Sequence, residues 1–536
     1  MPDVRWWAYL FPLKKTDWKE LYMNGARALM NALSDAGIKI CFTNPGTTEL
    51  HLITALEDVP DMRLVLGLFE GVCAGAADGY ARMTHKPAAT LLHLGPGLGN
   101  AIANLHNARR ARVPVVNLVG DHPVYHRRND PPLASDIAAM AAPVSGWVHE
   151  SRSASDLAAD GTAAVRASLG PPGQVATLII PADCAWGESA QHFTGMQAPE
   201  PGQVQDKIIK ETYEMLSCEG PTILMLGGDA LQEPALSAAG RIAKKTGAML
   251  LSHTFETRFT RGAGMPLVRR LPYFPEAAQK RLATYKKLIL VGTGAPTSFF
   301  AYPDTSVQLL PVGCEIKTLA TPADDAAAAL FALEEALGAK DEDFAAKSPQ
   351  RPDPPEGSLN PESAGLAIGA LLPENAIVSD ESGTSGAHAY RYTSGAPPHD
   401  WLCLTGGSIG QGVPVATGAA LACPERKVLC LQGDGGAMYT LQALWTQARE
   451  GLDVTTVIFS NRRYQILHEE LKRLGPSNPS SKITDTMNLD RPDPDWVHLS
   501  KGMGVQASRA DTAEDFYRQL EAAFSESGPH LIEARL

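Results

Sequence analysis

The chain has 536 residues, which corresponds to roughly three domains of ordinary size. Its 44% hydrophobic and 20% charged residues are typical of a globular protein, and its longest apolar runs are too short to span a bilayer. The formal net charge of −12, without any basic run or stripe, argues against nucleic acid as a partner.

Eight cysteines are scattered along the chain without forming a CxxC pair. Small buried thiols in a reducing compartment are the simplest explanation, which predicts a cytoplasmic protein. Residues 1–22 are predicted to be an N-terminal extension. They contain a short apolar patch followed by Lys14 and Lys15, and this patch is too short for a membrane helix. The first domain is predicted to begin at Met23.

A regular alternation of helix-like and strand-like segments follows Met23. In the first unit, residues 23–190, short apolar runs end on polar or glycine residues. The predicted strands of this unit are residues 38–42, 64–69, 88–94, 113–119 and 175–180. Strands that alternate with helices predict a parallel sheet with helices on both faces.

Two further units follow, each preceded by a polar stretch rich in proline, glycine or aspartate. The central unit, residues 205–340, has predicted strands at 222–226 and 288–291. The third unit, residues 360–536, has them at 376–378, 428–431, 455–459 and 530–534. The predicted fold class is therefore α/β, with three doubly wound parallel-sheet domains.

Two polar clusters end predicted strands of the third unit. Residues 429–436 read Leu-Cys-Leu-Gln-Gly-Asp-Gly-Gly, and residues 457–464 read Val-Ile-Phe-Ser-Asn-Arg-Arg-Tyr. Ligands of open α/β sheets bind at the carboxyl ends of strands. Asp434 and Asn461, separated by 461 − 434 = 27 residues, offer hard oxygen ligands that suit Mg²⁺ or Ca²⁺. A Gly-Asp-Gly run alone is usually an ordinary turn, but the two flanking strands make this pattern much more specific.

This pair of motifs resembles the signature of thiamin-diphosphate enzymes, in which Gly-Asp-Gly is followed at this distance by Asn. The resemblance implies that thiamin diphosphate and Mg²⁺ are the cofactors. It also implies that Asp434, Asn461 and the backbone carbonyl of Arg463 bind the metal. The family usually has Asn-Asn, and this chain has Ser460 in the first position. The metal ligand of the family is the second Asn, which is present.

Glu70 ends an apolar run and precedes a helix-like stretch of small residues, 71–81, that contains Ala-Asp-Gly-Tyr-Ala. An acid at this place could equally be a helix N-terminal carboxylate that the helix dipole stabilises. The stretch closely resembles the glutamate-bearing segment of thiamin-diphosphate enzymes. That resemblance implies a catalytic Glu70 that hydrogen-bonds the aminopyrimidine ring and so activates the cofactor.

In general pattern the chain resembles the acetolactate synthase superfamily, and in detail it resembles benzoylformate decarboxylase. Residues 44–50, Asn-Pro-Gly-Thr-Thr-Glu-Leu, are similar to the decarboxylase's Asn-Pro-Gly-Ser-Asn-Glu-Leu. Thr47 thus falls on the serine that contacts the substrate carboxylate. Residues 93–101 resemble the segment that begins with a catalytic histidine, which makes His93 a catalytic candidate. A satisfied histidine at a strand end is the alternative interpretation of His93.

The chain also departs from the decarboxylase. The decarboxylase's second catalytic histidine falls on Phe259, so that proton relay is not preserved in the same form. Glu469 and Glu470 replace an aromatic pair, which predicts a more polar pocket mouth. His122 and His126, in a loop without a close counterpart, are candidates for reaching the substrate.

The resemblance implies further cofactor contacts on three segments of the third unit. They are Gly383 and Thr384 in the diphosphate-contacting turn, Ser408 and Ile409 in the loop beneath the thiazolium, and Gly433, Asp434, Gly435, Gly436, Asn461 and Tyr464 around the metal. In the family the cofactor lies between the first domain of one subunit and the third domain of another. The resemblance therefore implies a homodimer or homotetramer with active sites at the subunit interface.

No FAD is predicted, because the Arg-rich contact pattern of acetolactate synthases is not found. The glycine turns at Gly227 and Gly292 also do not read Gly-x-Gly-x-x-Gly.

The predicted activity is decarboxylation of a 2-oxo acid, carboligation, or both. A 2-hydroxyacyl lyase is a second interpretation. A coenzyme A thioester would need a basic patch, for which Arg109, Arg110 and Arg112 form the only obvious cluster. A catalytically silent homologue is a third interpretation, against which the intact Glu70, Asp434 and Asn461 argue.

Overall fold

The computed structural model describes residues 23–189, 195–303, 305–344, 346–476 and 478–536. The predicted N-terminal extension, residues 1–22, lies outside the described residues. Within these ranges, no helix combines the length and the apolar character needed to cross a membrane. The chain forms three sheets in which nearly all strands are parallel, which confirms the predicted α/β class with three parallel-sheet units.

The first sheet has six parallel strands in the order β2-β1-β3-β4-β6-β5. They are β1 (Ile40–Asn44), β2 (Arg63–Leu66), β3 (Ala88–Leu92), β4 (Val115–Asp121), β5 (Trp147–Glu150) and β6 (Val175–Pro181). The helices of this unit are α1 (Gly25–Asp35), α2 (Leu50–Ala55), α3 (Glu70–Thr84), α4 (Leu94–Ala111), α5 (Val124–Arg127), α6 (Ile137–Ala141), α7 (Leu157–Leu169) and α8 (Ala182–Trp186).

The central strands β3, β4 and β6 are mostly apolar along their whole length because both of their faces are buried. In β3, Ala88 and Leu92 pack into one apolar cluster, whereas Ala89 and Leu91 pack into another. Successive side chains of a strand point to opposite faces, so a strand covered on both sides needs hydrophobic residues at every position.

The second sheet has five parallel strands in the order β10-β8-β7-β11-β12. They are β7 (Thr222–Leu226), β8 (Met249–Ser252), β10 (Arg269–Arg270), β11 (Lys287–Val291) and β12 (Glu315–Ala320). The helices of this region are α9 (Asp206–Ser217), α10 (Ala235–Thr246), α11 (Pro275–Leu282) and α12 (Ala326–Ala336).

The third sheet has seven strands in the order β17-β18-β16-β15-β13-β14-β9. They are β9 (Phe259–Arg261), β13 (Ile377–Glu381), β14 (His399–Cys403), β15 (Val428–Gly433), β16 (Val454–Ser460), β17 (Gln506–Ala510) and β18 (His530–Arg535). The helices are α13 (Pro361–Leu371), α14 (Ala387–Tyr392), α15 (Gly412–Ala422), α16 (Asp434–Thr440), α17 (Ala443–Glu450), α18 (Gln465–Leu474), α19 (Ser481–Thr484), α20 (Trp496–Gly502) and α21 (Ala513–Ser525). Short 3-10 turns occur at Thr47–Glu49, Leu56–Asp58, Gly228–Leu231 and Thr393–Gly395.

β9 comes from the middle of the chain but pairs antiparallel with β14 at the edge of the third sheet. Phe259 lies opposite Trp401 in this register and is only 4% exposed. Phe259 is therefore a core residue of the contact between the central and third units.

The first and third units meet through two helices, α3 and α15, that approach each other at glycines. A Cβ atom on Gly418 would lie 1.9 Å from the carbonyl oxygen of Ala76, and one on Gly79 would lie 2.1 Å from that of Val415. Only glycine leaves room for this backbone contact. The helix that begins at Glu70 is thus held directly against a helix of the third unit.

Candidate active site

The predicted site residues of the first unit follow four neighbouring strands. Thr47 comes after β1, Glu70 after β2, His93 after β3 and His122 after β4. These strands are adjacent in the order β2-β1-β3-β4 and all run parallel. Their carboxyl ends therefore lie along one edge of the sheet, where α/β proteins bind ligands.

Glu70 is the first residue of α3 and is 7% exposed. Its Oε2 accepts a hydrogen bond of 2.9 Å from Asn100 Nδ2. Asn100 belongs to α4, which begins directly after His93. The glycine-rich segment after His93 is therefore the first turn of a helix, and that helix fixes the Glu70 carboxylate.

His93 is paired with a buried acid, Glu49. Nδ1 of His93 lies 2.7 Å from Oε2 of Glu49, which also accepts a 3.0 Å hydrogen bond from the backbone N–H of Gly46. The Glu49 side chain is fully buried, whereas that of His93 is 23% exposed. Burial raises the pKa of Glu49, and the neighbouring His93 partly counters this rise. This contact uses Nδ1, so the second ring nitrogen of His93 is left for other contacts.

Thr47 opens the 3-10 turn that ends at Glu49, and it is exposed. The turn therefore presents the Thr47 hydroxyl to solvent while it buries the Glu49 carboxylate beside His93. Sequence reasoning named Thr47 and His93 but not Glu49. Glu49 lies within the quoted motif of residues 44–50, but the local sequence does not show that this acid is buried.

The loop after β4 carries His122 and His126, whose ring centroids are 5.7 Å apart in an edge-to-face arrangement. Nε2 of His122 is buried and has no hydrogen-bond partner among the described residues. Burial lowers the pKa of His122. Arg127, which follows, pairs with Asp121 at 2.8 Å and with Glu150 at 2.7 Å.

The predicted site residues of the third unit follow a second set of adjacent strands. Asn461 comes after β16, Asp434 after β15, the Gly383–Thr384 turn after β13 and the Ser408–Ile409 loop after β14. The order β16-β15-β13-β14 makes these strands neighbours, and all of them run parallel. The carboxyl ends again share one edge of the sheet.

The two motifs that are predicted to bind a metal are joined by a direct hydrogen bond. Oδ2 of Asp434 accepts a 2.6 Å hydrogen bond from the backbone N–H of Arg462. Its Oδ1 accepts a 2.8 Å hydrogen bond from the backbone N–H of Gly435. Oδ1 of Asn461 accepts a 3.1 Å hydrogen bond from the backbone N–H of Arg463. Burial raises the pKa of Asp434 to about 6. The fold thus brings together two motifs whose key residues, Asp434 and Asn461, are 27 residues apart in the sequence.

Tyr464 lies over the glycine that follows Asp434. A Cβ atom on Gly435 would be 2.3 Å from Cε1 of the Tyr464 ring. Gly383 has a positive φ of 56°, and no atom lies within 4 Å of the place where its Cβ would be. The Cβ side of Gly383 in this turn therefore faces open space.

Asparagines of α4 hold the loop that contains Ser408. Asn107 Nδ2 donates to Ser408 O at 2.8 Å, and Asn104 Nδ2 donates to Gly410 O at 3.1 Å and to Gly71 O at 2.8 Å. Asn104 therefore links the loop predicted to lie beneath the thiazolium to Gly71, the residue that follows Glu70.

The central unit reaches the same loop through Phe299. A Cβ atom on Gly407 would be 2.4 Å from Cζ of Phe299. Nearby, Tyr302 donates a 2.8 Å hydrogen bond to Oε1 of Glu470. Burial and this carboxylate raise the pKa of Tyr302 to about 12. Glu470 thus accepts a hydrogen bond that links the central unit to the third unit.

Comparison with known proteins assigns the family. Two family models match, the N-terminal TPP binding domain of thiamine pyrophosphate enzymes over residues 23–141 and the C-terminal TPP binding domain over residues 381–534. A Mycobacterium tuberculosis protein provisionally named acetolactate synthase large subunit IlvX is 52% identical over 514 residues, which cover 95% of this chain and 98% of that protein. The chain belongs to the thiamine pyrophosphate enzymes.

Benzoylformate decarboxylase of Pseudomonas aeruginosa is 30% identical to this thiamine pyrophosphate enzyme over 517 residues, 93% of this chain and 96% of that protein. The thiamine diphosphate-dependent 4-hydroxybenzoylformate decarboxylase of Rhodococcus jostii RHA1 superposes with a TM-score of 0.84 at 24% identity, covering 96% of this chain and 99% of that chain. The structural likeness concerns the fold. Together the relatives define an enzyme of acetolactate synthase and benzoylformate decarboxylase type that depends on thiamin diphosphate.

The donor atoms around Asp434 suit a hard divalent cation. No cluster of three or more His, Cys, Asp or Glu side chains that could hold a metal is found among the residues that the structure describes. A cation at this edge of the third sheet would therefore depend on Asp434 together with the amide oxygen of Asn461 and a backbone carbonyl. Each Asp434 oxygen accepts a single backbone N–H, so lone pairs remain for a metal.

Proposed function

We propose that this chain is a Mg²⁺-dependent thiamine pyrophosphate enzyme that decarboxylates 2-oxo acids. The product would leave as an aldehyde or be joined to a second carbonyl compound. The observation that carries the proposal is the His93–Glu49 pair, which lies at the same sheet edge as Glu70 and Thr47. A buried acid that orients a partly exposed histidine is an arrangement suited to proton transfer.

Thiamin diphosphate, when bound, supplies the carbanion that adds to the keto carbon and the electron sink that makes loss of CO₂ possible. Glu70 would hold a proton at the aminopyrimidine ring, and its hydrogen bond from Asn100 fixes the carboxylate for this role. In our proposal His93 moves a proton at the substrate oxygen or at the former keto carbon. Thr47, two residues before Glu49, would bind the substrate carboxylate.

The diphosphate end would be held by the third unit. Mg²⁺ would bind Asp434, Asn461 and the carbonyl oxygen of Arg463, and it would neutralise part of the diphosphate charge. The exposed Gly383 and the half-buried Thr384 would offer backbone N–H donors to phosphate oxygens. The other proposed contacts are Gly433, Gly435 and Gly436 beside the metal, Ser408 and Ile409 beneath the thiazolium, and Tyr464 at the pocket wall.

We further propose the domain limits 23–190 for pyrimidine binding, 205–340 for the central domain and 360–536 for diphosphate binding. A homodimer or homotetramer would complete the site. Two observations support this assembly. No hydrogen bond among the described residues joins Glu70 or His93 to Asp434 or Asn461. Large apolar side chains are also exposed beside the proposed site residues, as in Leu68 at 43% and Tyr439 at 53%.

We place the enzyme in the cytoplasm as part of this proposal, since all eight cysteines are unpaired. Carboligation is the second candidate activity, because the 52% identical relative is named as an acetolactate synthase subunit. That name describes the relative and supports the alternative only by similarity.

Product analysis by NMR tests the proposal. Purified protein would be incubated with thiamin diphosphate, Mg²⁺ and labelled pyruvate, benzoylformate or a branched 2-oxo acid, with Glu70→Gln as the inactive control. We expect an aldehyde and CO₂ from at least one acid. Acetolactate from pyruvate would instead establish carboligation. No product from any acid, with cofactor bound, would contradict the proposed activity and favour the lyase or a silent homologue.

A further inference from the structure

Glu381 is a buried carboxylate of the third unit to which the resemblance assigns no role. It is the last residue of β13 and is 7% exposed. It lies directly before the turn of Gly383 and Thr384, and it pairs in register with Gln432 of β15. A buried acid must find hydrogen-bond donors, since an unpaired buried charge is costly.

The donors are three consecutive backbone N–H groups. Gly410 N donates to Oε1 of Glu381 at 2.7 Å, and Gln411 N and Gly412 N each donate to Oε2 at 2.6 Å. Gly412 is the first residue of α15, so these N–H groups include the unpaired donors of a helix N-terminus. Hydrogen bonds to an ionised acceptor are shorter and stronger than neutral ones. Glu381 therefore fixes both the start of α15 and the end of the loop that carries Ser408.

The same carboxylate packs against the glycine turn after β15. A Cβ atom on Gly436 would lie 2.3 Å from Oε1 of Glu381 and 2.7 Å from Nε2 of Gln432. One side chain thus contacts the backbone on both sides of it, at residues 410–412 and at Gly436. Gly436 and the Gly383 turn are proposed cofactor contacts, and residues 410–412 directly follow the proposed contacts Ser408 and Ile409.

α15 also packs directly against a helix of the first unit. α15 contacts α3 through Gly418 and Gly79, at distances that leave no room for a side chain. Glu70 is the first residue of α3. A shift at the N-terminus of α15 would therefore change the distance between the thiazolium loop and the helix that bears Glu70.

We propose that Glu381 is a positioning residue for thiamin diphosphate. Its carboxylate sets the thiazolium loop, the glycine turn beside the metal and the start of α15 in one arrangement, so that the third unit holds the diphosphate and the ring system in a fixed position. This inference rests on the proposed cofactor site. Glu381 is not a catalytic residue, because it acts only through the backbone segments that it holds.

The test compares Glu381→Gln with a matched control, Glu334→Gln. Glu334 is also a buried carboxylate, 4% exposed, but it pairs with Arg241 in the central unit. Glutamine keeps the size of Glu381 but directs an NH₂ group at backbone N–H donors. Calorimetry would measure thiamin diphosphate binding in the presence of Mg²⁺. Thermal unfolding with and without cofactor would report the stabilisation that the cofactor provides.

We expect Glu381→Gln to weaken thiamin diphosphate binding by about 10-fold to 100-fold, the loss of one or two charge-assisted hydrogen bonds. Glu334→Gln should bind the cofactor within about twofold of wild type even if it unfolds earlier. Glu381→Asp retains the charge and should fold if Gln does not. It should still bind more weakly, because its shorter side chain cannot reach all three donors.

A second readout separates positioning from general destabilisation. Exchange of the thiazolium C2 proton with deuterium, followed by NMR at saturating cofactor, should slow in Glu381→Gln and remain unchanged in Glu334→Gln. Normal binding and normal exchange in Glu381→Gln and Glu381→Asp would overturn this inference alone. Failure of the wild-type protein to bind the cofactor would overturn the proposed cofactor site and this inference with it.

Discussion

The contact between α3 and α15 gives the sharpest prediction for stability, through the substitution Gly418→Ala. The added Cβ would lie 1.9 Å from Ala76 O and 2.7 Å from Tyr80 N, whereas ordinary van der Waals contact begins near 3.4 Å. About 3.4 − 1.9 = 1.5 Å must therefore be gained by moving two helical backbones apart, since a carbonyl in a helix cannot rotate away.

The magnitude follows from two opposing effects. Overpacking typically costs about 1–3 kcal/mol, and a rigid backbone contact belongs at the upper end or beyond it. Alanine favours the helix over glycine by about 1 kcal/mol. We expect a net loss of about 2 kcal/mol or more in the free energy of unfolding, together with weaker thiamin diphosphate binding.

Gly502→Ala is the matched control for this experiment. Gly502 is the last residue of α20, and no atom lies within 4 Å of the place where its Cβ would be. This substitution should leave stability unchanged or raise it by up to about 1 kcal/mol. Denaturant unfolding and calorimetric cofactor binding would measure both variants. Gly418→Ala with wild-type stability and cofactor affinity would refute the assigned role of the α3–α15 contact.

Three further predictions concern the proposed site and a buried ion pair. Glu70→Gln should lower turnover by about 10²-fold to 10⁴-fold, as expected for loss of a positioned proton-transfer group, and unchanged turnover would contradict its role. Asp434→Asn, or chelation of Mg²⁺ in the wild type, should abolish the rise in melting temperature produced by thiamin diphosphate. Retention of that rise would argue against the metal site. Burial pushes the pKa of Asp400 upward, but the neighbouring Arg258 and Arg426 hold it below its ordinary value. The stabilisation from this ion pair is therefore present above the unfolded pKa of about 4 and is lost as pH falls through the folded pKa. Asp400→Asn should destabilise the protein at pH 7 by about 3–5 kcal/mol. Denaturant unfolding should show that this difference shrinks below about pH 4, and a constant difference would count against the explanation.

Most of the strands found from sequence are buried on both faces, with β2 as an exception whose first two residues are exposed. β7, β15 and β16 read as continuous apolar runs, and the structure has them at nearly the expected places. β5 and β14 were missed because polar residues interrupt their pattern. β14 begins with His399 and Asp400, and the charge of Asp400 is tolerated because two arginines from elsewhere in the chain neutralise it.

Individual site residues differ in how far sequence could predict their environment. Asp434 and Asn461 follow apolar strands, and the structure joins their loops by one hydrogen bond. Glu49 and Glu381 were not singled out, because nothing in their local sequence distinguishes a buried acid from an exposed one. Their partners are 44 and about 30 residues away in the chain, and only the fold brings them into contact.

The sequence by itself determined which strands end in polar residues, which residues those are and which family the motifs resemble. Local patterns carry this information, because strand burial requires apolar runs and a turn needs glycine or polar residues at its own positions. Only the tertiary structure decided that the strands lie in the orders β2-β1-β3-β4 and β16-β15-β13-β14. It also decided that α3 and α15 meet at Gly79 and Gly418. Strand order and helix contact depend on packing between segments far apart in the chain, and no short stretch of sequence contains both partners.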